Sequence, residues 1–168
     1  AEIEPAVLER IDVRALDRLG MDLFKRRLGQ EQLASREQVL SAIREAFEEA
    51  PVLPYPLEFV VNEWDHVLDA WQFSSLDEYL KFARTGTKKK LGPEQRKQLW
   101  AVAEAARLKL LAQGLITKNA MYSRLAGVLT PEKSPYDFVV VDEAQDLSVS
   151  QLKLLAAVGG NQKNRLFF

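Results

Sequence analysis

Hydrophobic residues recur at the spacing of an α-helix through the middle of the chain, from about residue 35 to residue 129. Two apolar stripes carry this pattern: Val39, Leu40, Ile43, Ala46 and Phe47, then Val60, Trp64, Val67, Leu68 and Trp71. Ser35 and Ser75 are each followed three residues later by Gln or Glu, which predicts capped helix starts. The longest helix is predicted from Pro93 to Gln113, and another from about Asn119 to Leu129. The middle of the chain is therefore predicted to be entirely helical.

Strand patterns occur only near the two ends of the sequence. Ile11 to Leu16 alternates between apolar and polar residues, and Phe138 to Val141 is an unbroken apolar run. The run predicts a buried strand of a parallel sheet covered on both faces. A helix capped at Ser148 follows it, and Arg165 to Phe168 then begins another strand pattern. The fold class expected is α/β and predominantly helical, with an incomplete parallel sheet built from the two chain ends around an all-helical insertion.

Composition indicates a folded cytoplasmic protein. The chain has 168 residues, of which 47% are hydrophobic and 28% charged. It has no cysteine, which excludes a disulfide framework and thiolate metal sites. No apolar run approaches the roughly 18 residues that span a bilayer, and the first residues lack a signal pattern, so no membrane partner is expected.

Charge is distributed unevenly along the chain although the net charge is only −1. From Glu37 to Glu78 there are ten acidic residues and one basic residue, whereas from Lys81 to Lys109 there are nine basic and two acidic residues. One interpretation is a basic face for a polyanion. The other is a pair of solvated faces that attract each other.

Asp142 and Glu143 follow the apolar run at the point where the predicted strand ends. Ligands of open α/β sheets bind in the crevice outside the carboxyl ends of the strands. Mg²⁺ takes one or two carboxylates together with phosphate oxygens and water, which suits Asp142. Glu143 is placed to orient or deprotonate an attacking water. The alternative is that both carboxylates simply lie in solvent, because a short motif has many chance matches.

A longer match gives this pair a context. Val139 to Ser148 reads VVVDEAQDLS, and with the helix and strand patterns up to Phe168 it resembles motif II of superfamily 1 DNA helicases of the UvrD/PcrA/Rep type. A weaker similarity links Glu63-Trp64, Leu76 to Leu80, Arg84 to Gly86 and Arg96 to Trp100 to the helical insertion of the first motor domain in those enzymes. The resemblance implies a P-loop NTPase-type sheet. Residues 1–30 would begin the motor-domain core, 31–130 would form the insertion, and 131–168 would return to the core with the Walker B motif.

The resemblance also implies roles for individual residues. Asp142 would hold Mg²⁺ on the phosphates of ATP, Glu143 would act on the hydrolytic water, and Gln145 and Asp146 would connect the nucleotide site to neighbouring motifs. DNA is the implied partner, as a single strand and at a duplex junction, with 3′ to 5′ translocation. The expected duplex phosphate contacts are Arg84, Lys88, Lys89, Lys90, Arg96 and Lys97. Ala15 to Arg18 stands where the family has Thr-Phe-His-Ser, which leaves Arg18 as the expected contact with single-stranded DNA.

A phosphate-binding loop is not found in the sequence. None of the eight glycines is followed by lysine, so no G-x-x-x-x-G-K-[ST] motif exists. We therefore expect a fragment of an ATP-dependent DNA helicase that alone binds neither ATP nor Mg²⁺ and is inactive. The alternative is a non-catalytic helical module that binds nucleic acid or protein on a degenerate motor scaffold. A lysine-bearing glycine-rich loop encoded upstream would decide for the motor.

Overall fold

The computed structural model describes residues 8–29, 31–83, 91–129, 134–160 and 163–168. These residues are predominantly helical, as predicted, with short parallel strand pairs. The α-helices are α1 (Leu16–Arg27), α2 (Arg36–Glu49), α3 (Leu57–Glu63), α4 (Asp69–Trp71), α5 (Leu76–Lys81), α6 (Pro93–Ala112), α7 (Lys118–Val128) and α8 (Val149–Val158). The strands are β1 (Gln32–Leu33), β2 (Leu115–Ile116), β3 (Val139–Val140) and β4 (Leu166–Phe167). Over the same ranges, no helix has the length and apolar character that a membrane crossing requires.

The buried apolar residues form two clusters. The first, called here the helical-lobe core, lies between Val39 and Leu115 and is built by α2, α3, α5 and α6. The second, the terminal core, joins α1 to α7 and α8 and includes Phe24, Tyr122 and Leu154. Both apolar stripes predicted from the sequence contribute their buried members to the helical-lobe core. The terminal core draws instead on segments that are far apart in the chain.

Two parallel strand pairs connect these parts of the fold. β3 pairs with β4, Val139 opposite Leu166 and Val140 opposite Phe167, which confirms the predicted parallel pairing near the end of the chain. β1 pairs with β2, Gln32 opposite Leu115. The second pairing was not predicted from the sequence. It hydrogen-bonds the chain where it enters the helical lobe to the chain where it leaves.

The strand predicted from Ile11 to Leu16 is wrong. Residues 11–15 are extended coil, and the side chain of Val13 is 91% exposed. Side-chain bonds hold this segment instead: the Tyr136 hydroxyl donates to the Asp12 carboxylate, which also accepts from the Arg14 guanidinium. The Tyr136 bond, with help from Arg14, lowers the pKa of Asp12 below its ordinary value. Alternating residues become a strand only when a neighbouring strand pairs with them, and within the described ranges none does.

The prediction of a strand buried on both faces is also wrong for β3 in this chain. Phe138 is 66% exposed and Val140 is 80% exposed, while Val139 packs against the terminal core. Helices of the described ranges therefore cover only one face of the β3–β4 pair. The other face presents apolar side chains to solvent.

Local helix-start signals are mostly confirmed. Ser35 and Ser148 both form complete capping boxes, with their partner glutamines returning to the backbone N–H of the serine. At Ser75 only half of the box forms, because the Glu78 carboxylate accepts from the backbone N–H of Ser74 instead. Pro93 occupies the first turn of α6, as its fixed φ favours.

Candidate functional site

The acidic pair lies directly after β3. Backbone bonds from Val139 N–H to the Arg165 carbonyl (2.7 Å) and from Val141 N–H to the Phe167 carbonyl (2.9 Å) fix the strand up to the residue before Asp142. Asp142 and Glu143 are both exposed, at the carboxyl end of a strand in a parallel pair. This is the position that the sequence predicted for them.

The backbone at Glu143 is left-handed. Its φ and ψ are 54° and 42°, a conformation that costs a residue other than glycine roughly 1–2 kcal/mol. The Asp142 carboxylate stabilises the turn by accepting the Glu143 N–H at 3.0 Å. Strain of this kind persists where the surrounding structure imposes it, and it is concentrated at functional sites. The sharp turn separates the Glu143 side chain from the direction of β3.

Gln145 and Asp146 lie on a 3-10 turn formed by Ala144–Asp146, and both are exposed. The Gln145 amide donates to the Glu143 carboxylate, so two of the predicted site residues are in direct contact. The Asp146 N–H donates to the Glu143 carbonyl at 3.2 Å, which closes the turn. Asp142, Glu143, Gln145 and Asp146 thus form one exposed, hydrogen-bonded segment, called here the acidic turn (residues 142–146).

The predicted DNA contacts do not share one environment. Arg18 is exposed on the first turn of α1, and Lys97 is exposed and pairs with Glu94 at 3.3 Å. Arg96 is half-buried, and its Nη1 donates to the backbone carbonyls of Tyr79, Leu80 and Phe82 at 2.8–3.0 Å. Its guanidinium therefore closes the end of α5. Arg84, Lys88, Lys89 and Lys90 lie outside the described residues.

Part of the basic segment contacts the acidic segment. Lys109 on α6 reaches Glu49 (2.7 Å) and Glu45 (3.7 Å) on α2, and Glu49 raises the pKa of this lysine above its ordinary value. Arg107 donates to Glu104 and to the Leu68 carbonyl, and its guanidinium lies over the rings of Trp64 and Trp100 at 5.6 and 5.4 Å. These contacts match the attracting-faces interpretation for residues 107–109.

A buried carboxylate, Asp69, escaped the sequence interpretation. It is 7% exposed and accepts hydrogen bonds from Thr117 (2.6 Å), Asn119 (2.9 Å) and Gln72 (2.7 Å). Burial raises the pKa of Asp69 above its ordinary value of 3.8, although the donors and the charge of Arg107 oppose the increase. The one signal available in the sequence was a carboxylate directly beside the apolar stripe, between Leu68 and Trp71.

The donor set at the acidic turn suits a hard cation shared with phosphate oxygens and water. Among the described residues, no group of three or more His, Cys, Asp and Glu side chains is arranged to hold a metal ion by itself. Mg²⁺ needs only one or two protein carboxylates when phosphate supplies the remaining oxygens, and the exposed Asp142 and Glu143 can offer these. Comparison with models of protein families, with curated proteins and with solved structures found no match for this chain.

Proposed function

We propose that this chain is part of the first motor domain of an ATP-dependent DNA helicase or translocase of superfamily 1. The observation that carries the proposal is the acidic turn. Asp142 and Glu143 follow a strand of a parallel pair, and the strained Glu143 turn leads through Gln145 and Asp146 into a capped helix. A strand end of this kind is where a P-loop nucleoside triphosphatase holds its metal and its attacking water.

The exposed face of the β3–β4 pair supports the same proposal. Phe138, Val140, Phe167 and Phe168 are all exposed apolar residues at one edge of the fold. Contiguous exposed apolar surface marks a site of interaction. Further strands and helices of a complete motor domain would cover this surface and complete a P-loop NTPase-type sheet.

In the proposed enzyme the acidic turn divides the chemistry between its residues. Asp142 would hold Mg²⁺ against the phosphates of ATP, and the Glu143 carboxylate would orient or deprotonate the attacking water. The contact between Gln145 and Glu143 would fix the glutamate, and Asp146 would connect to neighbouring motifs. DNA is the proposed partner, with Arg18, Lys97 and the basic residues 84–90 as phosphate contacts and 3′ to 5′ movement.

The test uses the complete reading frame that encodes this segment. We expect DNA-stimulated ATP hydrolysis that falls by at least about a hundredfold in Glu143→Gln, because one positioned acid or base contributes roughly 10²–10⁴-fold. Nucleotide binding should survive this change, whereas Asp142→Ala should weaken the Mg²⁺ dependence. Asp137→Asn is the matched control, since Asp137 is an exposed carboxylate just before β3.

The 168-residue chain alone should not hydrolyse ATP, because its sequence lacks a phosphate-binding loop. Turnover by this chain that Glu143→Gln abolishes would contradict that expectation. Equal turnover of Glu143→Gln and Asp137→Asn in the complete protein would overturn the proposed role of the acidic turn. A complete protein without any ATP turnover would favour the non-catalytic binding module.

A further inference from the structure

Asp69 lies where the helix of the helical lobe changes its geometry. α3 continues through a π-helical segment, Trp64–Leu68, into α4, and the next residue after α4, Gln72, is left-handed with a φ of 49°. Single π-helical turns of this kind are rare and occur frequently at functional sites. The distortion places the Asp69 carboxylate beside Thr117 and Asn119, residues that follow β2 and begin α7.

A hydrogen-bonded relay continues from Asp69 to the helix after the acidic turn. The Asn119 amide nitrogen donates to Oδ2 of Asp69 at 2.9 Å. Its amide oxygen accepts from the Ser150 hydroxyl at 2.5 Å and from the Ser148 hydroxyl at 3.2 Å. Ser150 is fully buried, and Ser148 caps α8. Four side chains therefore connect the helical lobe to the start of α8 in an unbroken series.

Ser148 is two residues beyond Asp146, so the position of the acidic turn depends on the position of this cap. The bonds within the turn itself are local: Glu143 N–H to Asp142, Asp146 N–H to Glu143, and Leu147 N–H to Ala144. Such bonds define its shape but do not fix it to the rest of the molecule. A second contact supports the relay, since the Lys153 ammonium of α8 donates to the Trp71 carbonyl of α4 at 3.2 Å.

We propose that Asp69 and Asn119 are positioning residues that fix the acidic turn to the helical lobe, so that a displacement of the lobe is transmitted to Asp142 and Glu143. The inference rests on the proposed function for its effect on catalysis. The positional link itself is independent of any nucleotide. A fully hydrogen-bonded buried network is suited to this role, because it fixes one arrangement and is costly to break.

The geometry allows a donor–acceptor exchange that separates positioning from damage to the fold. Asp69→Asn turns an amide N–H₂ toward the N–H₂ of Asn119, and Asn119→Asp turns a carboxylate toward the Asp69 carboxylate. Each single variant breaks the same bond. The double variant, Asp69→Asn with Asn119→Asp, restores the bond in the reverse direction. The new amide on α4 donates and the new carboxylate on α7 accepts, while the bonds to Thr117, Ser148 and Ser150 are kept.

The measurement is amide hydrogen exchange of the full 168-residue chain without nucleotide. We expect the amides of residues 146–152 to exchange at least about tenfold faster in each single variant, and to return to within about threefold of the wild type in the double variant. Amides in the middle of α2 and the variant Asp77→Asn, a change at an exposed carboxylate, serve as controls. Neither should show the local effect.

Two results would overturn the inference. One is unchanged exchange of residues 146–152, relative to α2, in both single variants. The other is a double variant that exchanges as fast as the single ones, or that unfolds as they do if they fail to fold. Because no ATP is present, these outcomes are independent of whether the complete protein hydrolyses ATP.

Discussion

Replacing Arg96 by methionine should reduce the free energy of unfolding by about 2–3 kcal/mol, because one guanidinium nitrogen serves three backbone carbonyls at the end of α5. Helix ends leave carbonyls without partners, and a cation there also interacts favourably with the helix dipole. A hydrogen bond to a charged group contributes roughly 1.5–3 kcal/mol. One nitrogen has two hydrogens for these three acceptors, and water can replace part of the interaction, which keeps the total near the contribution of a single strong bond.

Lys97→Met is the matched control for this prediction. Lys97 is the next residue on the same helix, with a side chain 51% exposed in an ion pair with Glu94. An exposed pair of this kind contributes about 0–1 kcal/mol. Urea unfolding of both variants, followed by circular dichroism, measures the difference. Arg96→Lys should lie between wild type and Arg96→Met, because an ammonium keeps the charge but not the planar fork.

The reasoning is refuted if Arg96→Met and Lys97→Met lose the same stability within about 0.5 kcal/mol, the usual scatter of surface substitutions. Arg96 would then be free to act chiefly as a phosphate contact, as the sequence suggested. If the reasoning holds, a loss of DNA affinity in Arg96→Met would reflect displaced structure around α5 as well as a lost charge. Lys97 would then be the cleaner probe of phosphate contact.

Three further predictions concern packing, pH and salt. Gly20→Ala should destabilise by about 1–3 kcal/mol in thermal unfolding, because the new Cβ would lie 2.6 Å from the buried Tyr122 ring, whereas Gly127→Ala, with open space, should stabilise by about 0.5–1 kcal/mol. The raised pKa of Asp69 means that the native state binds more protons than the unfolded chain above pH 3.8, so wild type should lose stability relative to Asp69→Asn as pH rises through the native pKa; a constant difference between the two in urea titrations at several pH values would contradict this. Replacing Lys88, Lys89 and Lys90 together by alanine should weaken duplex DNA binding regardless of sequence and flatten the salt dependence by about 0.9 per lost phosphate contact, and an unchanged slope would leave these lysines as a solvated run.

Features that depend on neighbouring residues were predictable from the sequence. The complete capping boxes at Ser35 and Ser148 and the start of α6 at Pro93 were all identified correctly, because each signal lies within one helical turn. The strand near Val13 was not, since strand formation depends on a partner that the local pattern does not reveal. The β1–β2 pair escaped detection because two residues are too few to show a period.

At the candidate site the same division holds. The position of Asp142 and Glu143 at a strand end was predicted, because an apolar run followed by carboxylates is a continuous pattern. The left-handed backbone of Glu143 was not, since the residue type disfavours it and the surrounding structure imposes it. Asp69 was missed because its partners, Thr117 and Asn119, lie nearly fifty residues away in the chain. Burial of a carboxylate is a property of tertiary contacts.

The β1–β2 pair gives the helical lobe a property that concerns folding order and engineering. Strand neighbours lie about 4.8 Å apart, so the chain leaves the lobe beside the point where it enters. The helical-lobe core is drawn from one continuous segment, residues 39–115, whereas the terminal core must bring together segments on both sides of it. Loop closure favours the continuous segment as the first to fold, and once folded it shortens the effective loop between α1 and α7. Closely spaced ends also make residues 32–116 a unit that can be exchanged for a short turn or moved into a surface loop of another protein.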